Sequence, residues 1–151
     1  MTSNKFQVTS KKHGFTLIEL LIVITIIGIL AVAILSAIDP VEQIRRARDQ
    51  GKESDAAELL SAMERYYTAF FEYPWDALNQ GDPNNDLVSN NLVWIQILID
   101  EGEVKPPFKE RDTWGSVRAT LAGTVLHLCF VPESKSFKAR VDSGGNICLP
   151  R

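Results

Sequence analysis

The sequence predicts an α+β protein, a long N-terminal α-helix whose second half packs on a small antiparallel β-sheet. Three observations predict it. From Phe15 to Ile38, 24 residues carry a single ionisable side chain, Glu19. Ala56, Leu59, Leu60, Met63, Tyr66, Tyr67 and Phe70 recur at three- and four-residue spacing, which makes one apolar stripe on a helix. The last third breaks into short apolar or alternating stretches between turn residues, the pattern of strands.

Taken in order, residues 1–14 are polar, carry Lys5, Lys11 and Lys12 and no acid, and read as an unstructured cytoplasmic leader. As a helix, the run 15–38 is about 36 Å long against a hydrocarbon core of about 30 Å, so it is a membrane-spanning segment. Gly28, Ala31, Ala33 and Ala37 leave places where another helix can approach closely. Flanking charge sets three lysines before the span against Arg45, Arg46, Arg48 and Lys52 after it. Lys11 and Lys12 lie nearer the span, which favours the N-terminus inside.

Asp39-Pro40 ends or bends the helix, because proline lacks an amide donor and disfavours helical geometry in the residue before it. An amphipathic helix then runs over 39–71. Its first half, Arg45 to Asp55, alternates in sign and has little core to bury. Two readings stand for it: a solvated face held by pairs such as Glu42 with Arg46, or charges that pair with those of neighbouring copies.

Residues 72–151 form the globular headgroup. Tyr73-Pro74-Trp75 stops the helix, and 79–86 is turn chemistry throughout. There Asp82, Asn84, Asn85 and Asp86 offer oxygen atoms to a calcium ion, though without EF-hand spacing, and a plain turn is the simpler reading. Residues 91–100 predict a short buried helix or strand, and Pro106-Pro107 an extended segment. Strands are expected over 125–131, over 137–142 where Phe137, Ala139 and Val141 alternate with charged residues, and over 147–149 after the turn Ser143-Gly144-Gly145-Asn146. Cys129 and Cys148 would then lie side by side, as one disulfide or as two buried thiols.

Little here suggests catalysis or a cofactor. The formal charge of −3 and the lack of a basic track argue against nucleic acid. His13 and His127 have no zinc-ligand spacing, and no phosphate-cradling loop or dinucleotide fingerprint is present. Glu19 is harder to dismiss. A carboxylate in an apolar run is costly near mid-membrane and less so near the interface. It either reaches the interface, four residues from Phe15, or takes a partner on another chain or at a chain terminus.

Gly14-Phe15-Thr16-Leu17-Ile18-Glu19, preceded by Lys11-Lys12 and followed by the apolar helix, closely resembles the N-terminal signature of type IV prepilins and of type II secretion pseudopilins. The resemblance covers residues 5–71 well and the rest in architecture, and it implies a pilin-like fold. It implies that a prepilin peptidase cuts between Gly14 and Phe15 on the cytoplasmic side and N-methylates Phe15. It supplies Glu19 with a partner, the new α-amino group of Phe15 on a neighbouring subunit. The expected course is a single-pass protein of the cytoplasmic membrane, held in lipid until the assembly machinery moves it among identical or related subunits of a pilus or pseudopilus. The cysteine pair leans toward the pilus. The family's helix-bending proline falls about a turn before Pro40, where this chain has Ser36. Two other functions remain: a minor pilin at a filament tip that contacts a surface or DNA, and a conventional membrane-anchored exported protein. In the latter, Ala31-Val32-Ala33 resembles an ordinary signal-peptidase site, and cleavage there would release a soluble chain beginning at Ile34.

Overall fold

The structure, a computed structural model, describes residues 14–150; the leader as far as His13 lies outside the described residues. After Asp39 the chain divides into two compact units.

The first unit is one helix, α1 (Leu17–Ala37). Only Glu19, Thr25 and Ser36 on it carry polar side chains, and none of its residues is buried. The two hydroxyls are spent inside the helix. Thr25 Oγ1 donates to the Leu21 carbonyl at 2.7 Å and Ser36 Oγ to that of Ala33 at 2.9 Å, which suits a medium that offers no water. The helix ends where Ile38 turns extended, at φ −107° and ψ 131°. Pro40 then opens the next helix, at the first-turn position its missing amide suits. The chain break expected at Asp39-Pro40 is therefore present.

The second unit contains α2 (Pro40–Phe70), β1 (Asn84–Leu87), α3 (Leu92–Asp100), β2 (Arg118–Ala122), β3 (Val125–Phe130), α4 (Lys135–Lys138) and β4 (Ile147–Leu149). The strands form one antiparallel sheet in the order β1-β2-β3-β4. On β3, Leu126, Leu128 and Phe130 are buried at every second position, and through this strand the sheet packs on α2. Leu59 and Met63 of α2, Ile95 and Leu98 of α3, Trp75 and Val117 complete the core of this unit. Cys129 and Cys148 are direct cross-strand partners and form a disulfide. The α+β fold, with a long apolar helix, a second helix and a small antiparallel sheet, is the one expected.

Several local expectations are corrected. The sheet has four strands because two unexpected ones join it: the end of the predicted turn with Leu87, Asn84–Leu87, is recruited as β1, and it pairs with β2, Arg118–Ala122, which was not expected as a strand. Residues 137–142 are not a strand. Ser134 caps a helical turn by accepting from the Phe137 amide, and α4 replaces the alternating pattern. Pro106-Pro107 opens a 3₁₀ helix, Pro106–Glu110, in place of an extended segment. The ambiguous stretch over 91–100 is a helix, α3, burying Trp94, Ile95 and Leu98. Of the α2 stripe, Ala56 to Tyr66 is buried, but Tyr67 and Phe70 stay 44% and 45% exposed because the core ends before them.

Candidate functional site

The segment Gly14 to Glu19 is organised by a reciprocal cap. Thr16 stands in extended geometry at φ −83° and ψ 149°, and its hydroxyl oxygen accepts from the Glu19 amide at 3.2 Å. Glu19 Oε2 in turn accepts from the Thr16 amide and from the Thr16 hydroxyl, both at 2.8 Å. Threonine followed three residues later by glutamate is the sequence form of such a box. Glu19 therefore has donors within its own chain, all of them neutral, whereas the expected cationic partner on another chain is not part of a single subunit. Phe15, just before the cap, is 80% exposed. A side chain at Gly14 would meet nothing within 4 Å among the described residues, so the fold gives no steric reason for glycine there.

The charged first half of α2 is only partly the solvated face expected: Arg45, Arg46 and Arg48 are exposed, but other charges turn inward. Asp49, Lys52 and Asp55 are buried, and their partners lie in the same chain. Asp49 accepts from the Glu133 amide at 2.9 Å, from the Ser134 amide at 2.7 Å and from the Ser134 hydroxyl at 2.6 Å. Lys52 Nζ sits 2.7 Å from Glu133 Oε1 and donates to the Val131 carbonyl at 3.4 Å. Asp55 receives Arg111 at 2.8 Å and the Thr113 hydroxyl. Glu42 accepts from the Lys135 amide at 2.6 Å. This half of the helix is a clamp on the segment after β3 and on the loop before β2.

Burial opposes ionisation of Asp49, but the Ser134 hydroxyl, the Ser134 and Glu133 amides and Lys52 outweigh it, and the carboxyl stands below its usual range. The hydrogen bond from Lys52 holds Glu133 low as well. Hydrogen bonds to Asp55 and Glu58 raise the Arg111 guanidinium above its usual value. Gly51 lets the loop approach: a Cβ there would lie 2.8 Å from Thr113 Cγ2.

The remaining sequence candidates fall elsewhere. His127 is a half-buried residue of β3, as a histidine between two leucines suggests. In the acidic turn, Asp86 accepts from the Asn84 amide at 3.0 Å and the Asn85 amide donates to Thr120. Among the described residues no group of three or more His, Cys, Asp or Glu is gathered to hold a metal.

The 21-residue helix α1, apolar and with nothing buried on it, is long and apolar enough to cross a membrane, and a unit with its own core follows it in the chain. Residues 9–35 match the family described as the prokaryotic N-terminal methylation motif, so the chain carries the prepilin-type cleavage and methylation motif. That motif belongs to type IV pilin-like and pseudopilin proteins processed at the N-terminus, a structural and not an enzymatic class. No curated protein and no solved structure matches the chain.

Proposed function

We propose that this chain is a structural subunit of a type IV pilus or of a type II secretion-like pseudopilus. A prepilin peptidase cuts between Gly14 and Phe15 and N-methylates Phe15; the leader is 1–14, the membrane and filament-core helix 15–38, and the remainder the helix-and-sheet headgroup. The observation that carries this reading is α1, apolar on every face and buried on none, behind the matched motif. Such a surface is covered by lipid or by other helices of its kind. Lipid covers it first, with the N-terminus in the cytoplasm, and neighbouring α1 helices cover it after assembly. Glycine at position 14, which the fold does not require, then serves the peptidase.

Glu19 has a second role in this scheme. Its carboxylate, held by neutral donors in the single subunit, exchanges part of that cap for the Phe15 amino group of a neighbouring copy and so fixes the register of addition. The Cys129–Cys148 bridge fits an oxidising exterior and favours the pilus over the pseudopilus.

Mass spectrometry of the mature N-terminus tests the reading. A chain beginning at methylated Phe15 is expected; Met1 or Ile34 at the terminus overturns it. Shearing of cells then separates the two filaments. Recovery in long surface fibres marks a pilus subunit, and absence there with loss of secretion on deletion marks a pseudopilin.

A further inference from the structure

The C-terminal end of α2 is built against two ordinary preferences. Phe71, which follows the last helical residue, has φ +60°, the left-handed region glycine normally fills at a helix end. Its amide closes the helix by donating to the Tyr67 carbonyl at 2.8 Å, which a glycine would do equally well. Its ring is nonetheless 83% exposed, so the phenylalanine contributes little to the core. Backbone in a disfavoured region together with a large exposed apolar ring is a pairing that function, more than folding, accounts for.

The ring borders an open cavity of about 400 Å³, within the range of ligand sites. Tyr67, Phe71, Tyr73 and Asp76 line it, with Gly123-Thr124, the two-residue turn joining β2 to β3. The aromatic wall is anchored. Tyr67 stacks on Tyr73 with centroids 4.7 Å apart, and Tyr73 stacks on the fully buried Trp75 at 4.5 Å. Asp76 is fixed too, because its Oδ2 accepts from the Tyr73 amide at 2.9 Å. Burial first, then Tyr67, Glu64 and Asp76, push the Tyr73 hydroxyl above its usual value, so the phenol stays neutral among carboxylates. Among the described residues no lysine, arginine or histidine lines the cavity.

Aromatic faces carry negative electrostatic potential, and a carboxylate adds a full negative charge at the rim. A neutral sugar would use the faces and leave the charge unanswered. We infer that this cavity binds a small organic cation, an alkylammonium or guanidinium group, seated against Tyr67 and Phe71, with Tyr73 as the stacked support behind Tyr67, and neutralised by Asp76. The site lies wholly within the second unit and does not depend on how the N-terminus is processed.

The test is saturation-transfer NMR of the full chain in polyoxyethylene micelles, which offer neither ammonium nor sugar. Choline is compared with its uncharged isostere 3,3-dimethylbutan-1-ol, with methyl glucoside and with N-acetylarginine amide. Choline or the arginine amide should bind at least about fivefold more tightly than the isostere and the glucoside. Tighter binding of the arginine amide assigns the cation to a side chain of another chain, and tighter binding of choline to a free quaternary ammonium. Asp76→Asn, which keeps an oxygen for the Tyr73 amide, should weaken the cation about tenfold. Phe71→Gly should weaken it while leaving Tm unchanged or higher, since glycine suits φ +60°. Equal binding of choline and its isostere, stronger binding of the glucoside, or no binding of either cation overturns the proposal.

Discussion

The two helices invert what hydropathy alone would assign. α1 is apolar on every face and buries nothing within the chain, whereas the first half of α2 is charged and buries Asp49, Lys52 and Asp55. The difference lies in what each can find. The carboxylates and the ammonium of α2 meet amides, a hydroxyl and opposite charges on loops of their own unit, so their desolvation is offset. The aliphatic side chains of α1 need only apolar surface, and none of them is buried in the single chain. One helix is completed by folding and the other by its surroundings.

Four measurements break or sharpen this contrast, in falling order of effect. Glu19→Ala should still be cleaved after Gly14 yet be lost from filaments; recovery of the variant in fibres at wild-type levels would end the proposed role in register. Asp49→Ala should destabilise the second unit by about 3 kcal/mol or more, because it strips the acceptor from two amides and a hydroxyl and removes a carboxylate facing Lys52. Urea unfolding read by tryptophan emission reports that unit alone, since all three tryptophans, Trp75, Trp94 and Trp114, lie in it. A loss below about 1 kcal/mol would mean that the clamp is replaceable by water.

Acid should act at the same place. The carboxyls of Asp49 and Glu133 are depressed in the fold, so their contribution is fully present above the unfolded carboxylate range, about pH 4, and is lost as pH falls through their lower folded values. The acid limb of the stability curve should therefore flatten in Asp49→Asn, and an unchanged limb would place the acid sensitivity elsewhere. The smallest effect is that of Gly51→Ala. Alanine normally favours a helix by about 1 kcal/mol over glycine, but here its Cβ would press Thr113 off Asp55. The substitution should lower the urea midpoint; a gain would show that the loop yields freely.

The sequence made the apolar helix, the buried part of the α2 stripe, β3, β4 and the cysteine pairing legible, since each depends on local period or on adjacent strands. What escaped depends on tertiary partners. β1 is Asn-Asn-Asp-Leu, turn composition made into a strand by β2, and β2 itself, Arg-Ala-Thr-Leu-Ala, lacks a strong alternation. The alternation around Phe137 was overridden by Ser134 as a cap and by Asp49 holding that cap from 85 residues away. A serine before Lys-Ser-Phe-Lys was the available sign. At the N-terminus, Thr16 followed three residues later by Glu19 was readable as a capping box from spacing alone. The aromatic cavity had no sequence signature, because Tyr67, Asp76 and Thr124 come from a helix, a loop and a hairpin turn.

The clamp also sets how the second unit bears load. A pull applied to α2 against the sheet would load the hydrogen bonds of Asp49 to the Glu133 and Ser134 amides together, on a segment that continues β3, which the Cys129–Cys148 bridge ties to β4. Bonds strained in parallel share the force and give way together, unlike bonds that unzip one after another. Single-molecule pulling should therefore register the detachment of the sheet from α2 as one rupture, and Asp49→Ala should turn it into a gradual peel.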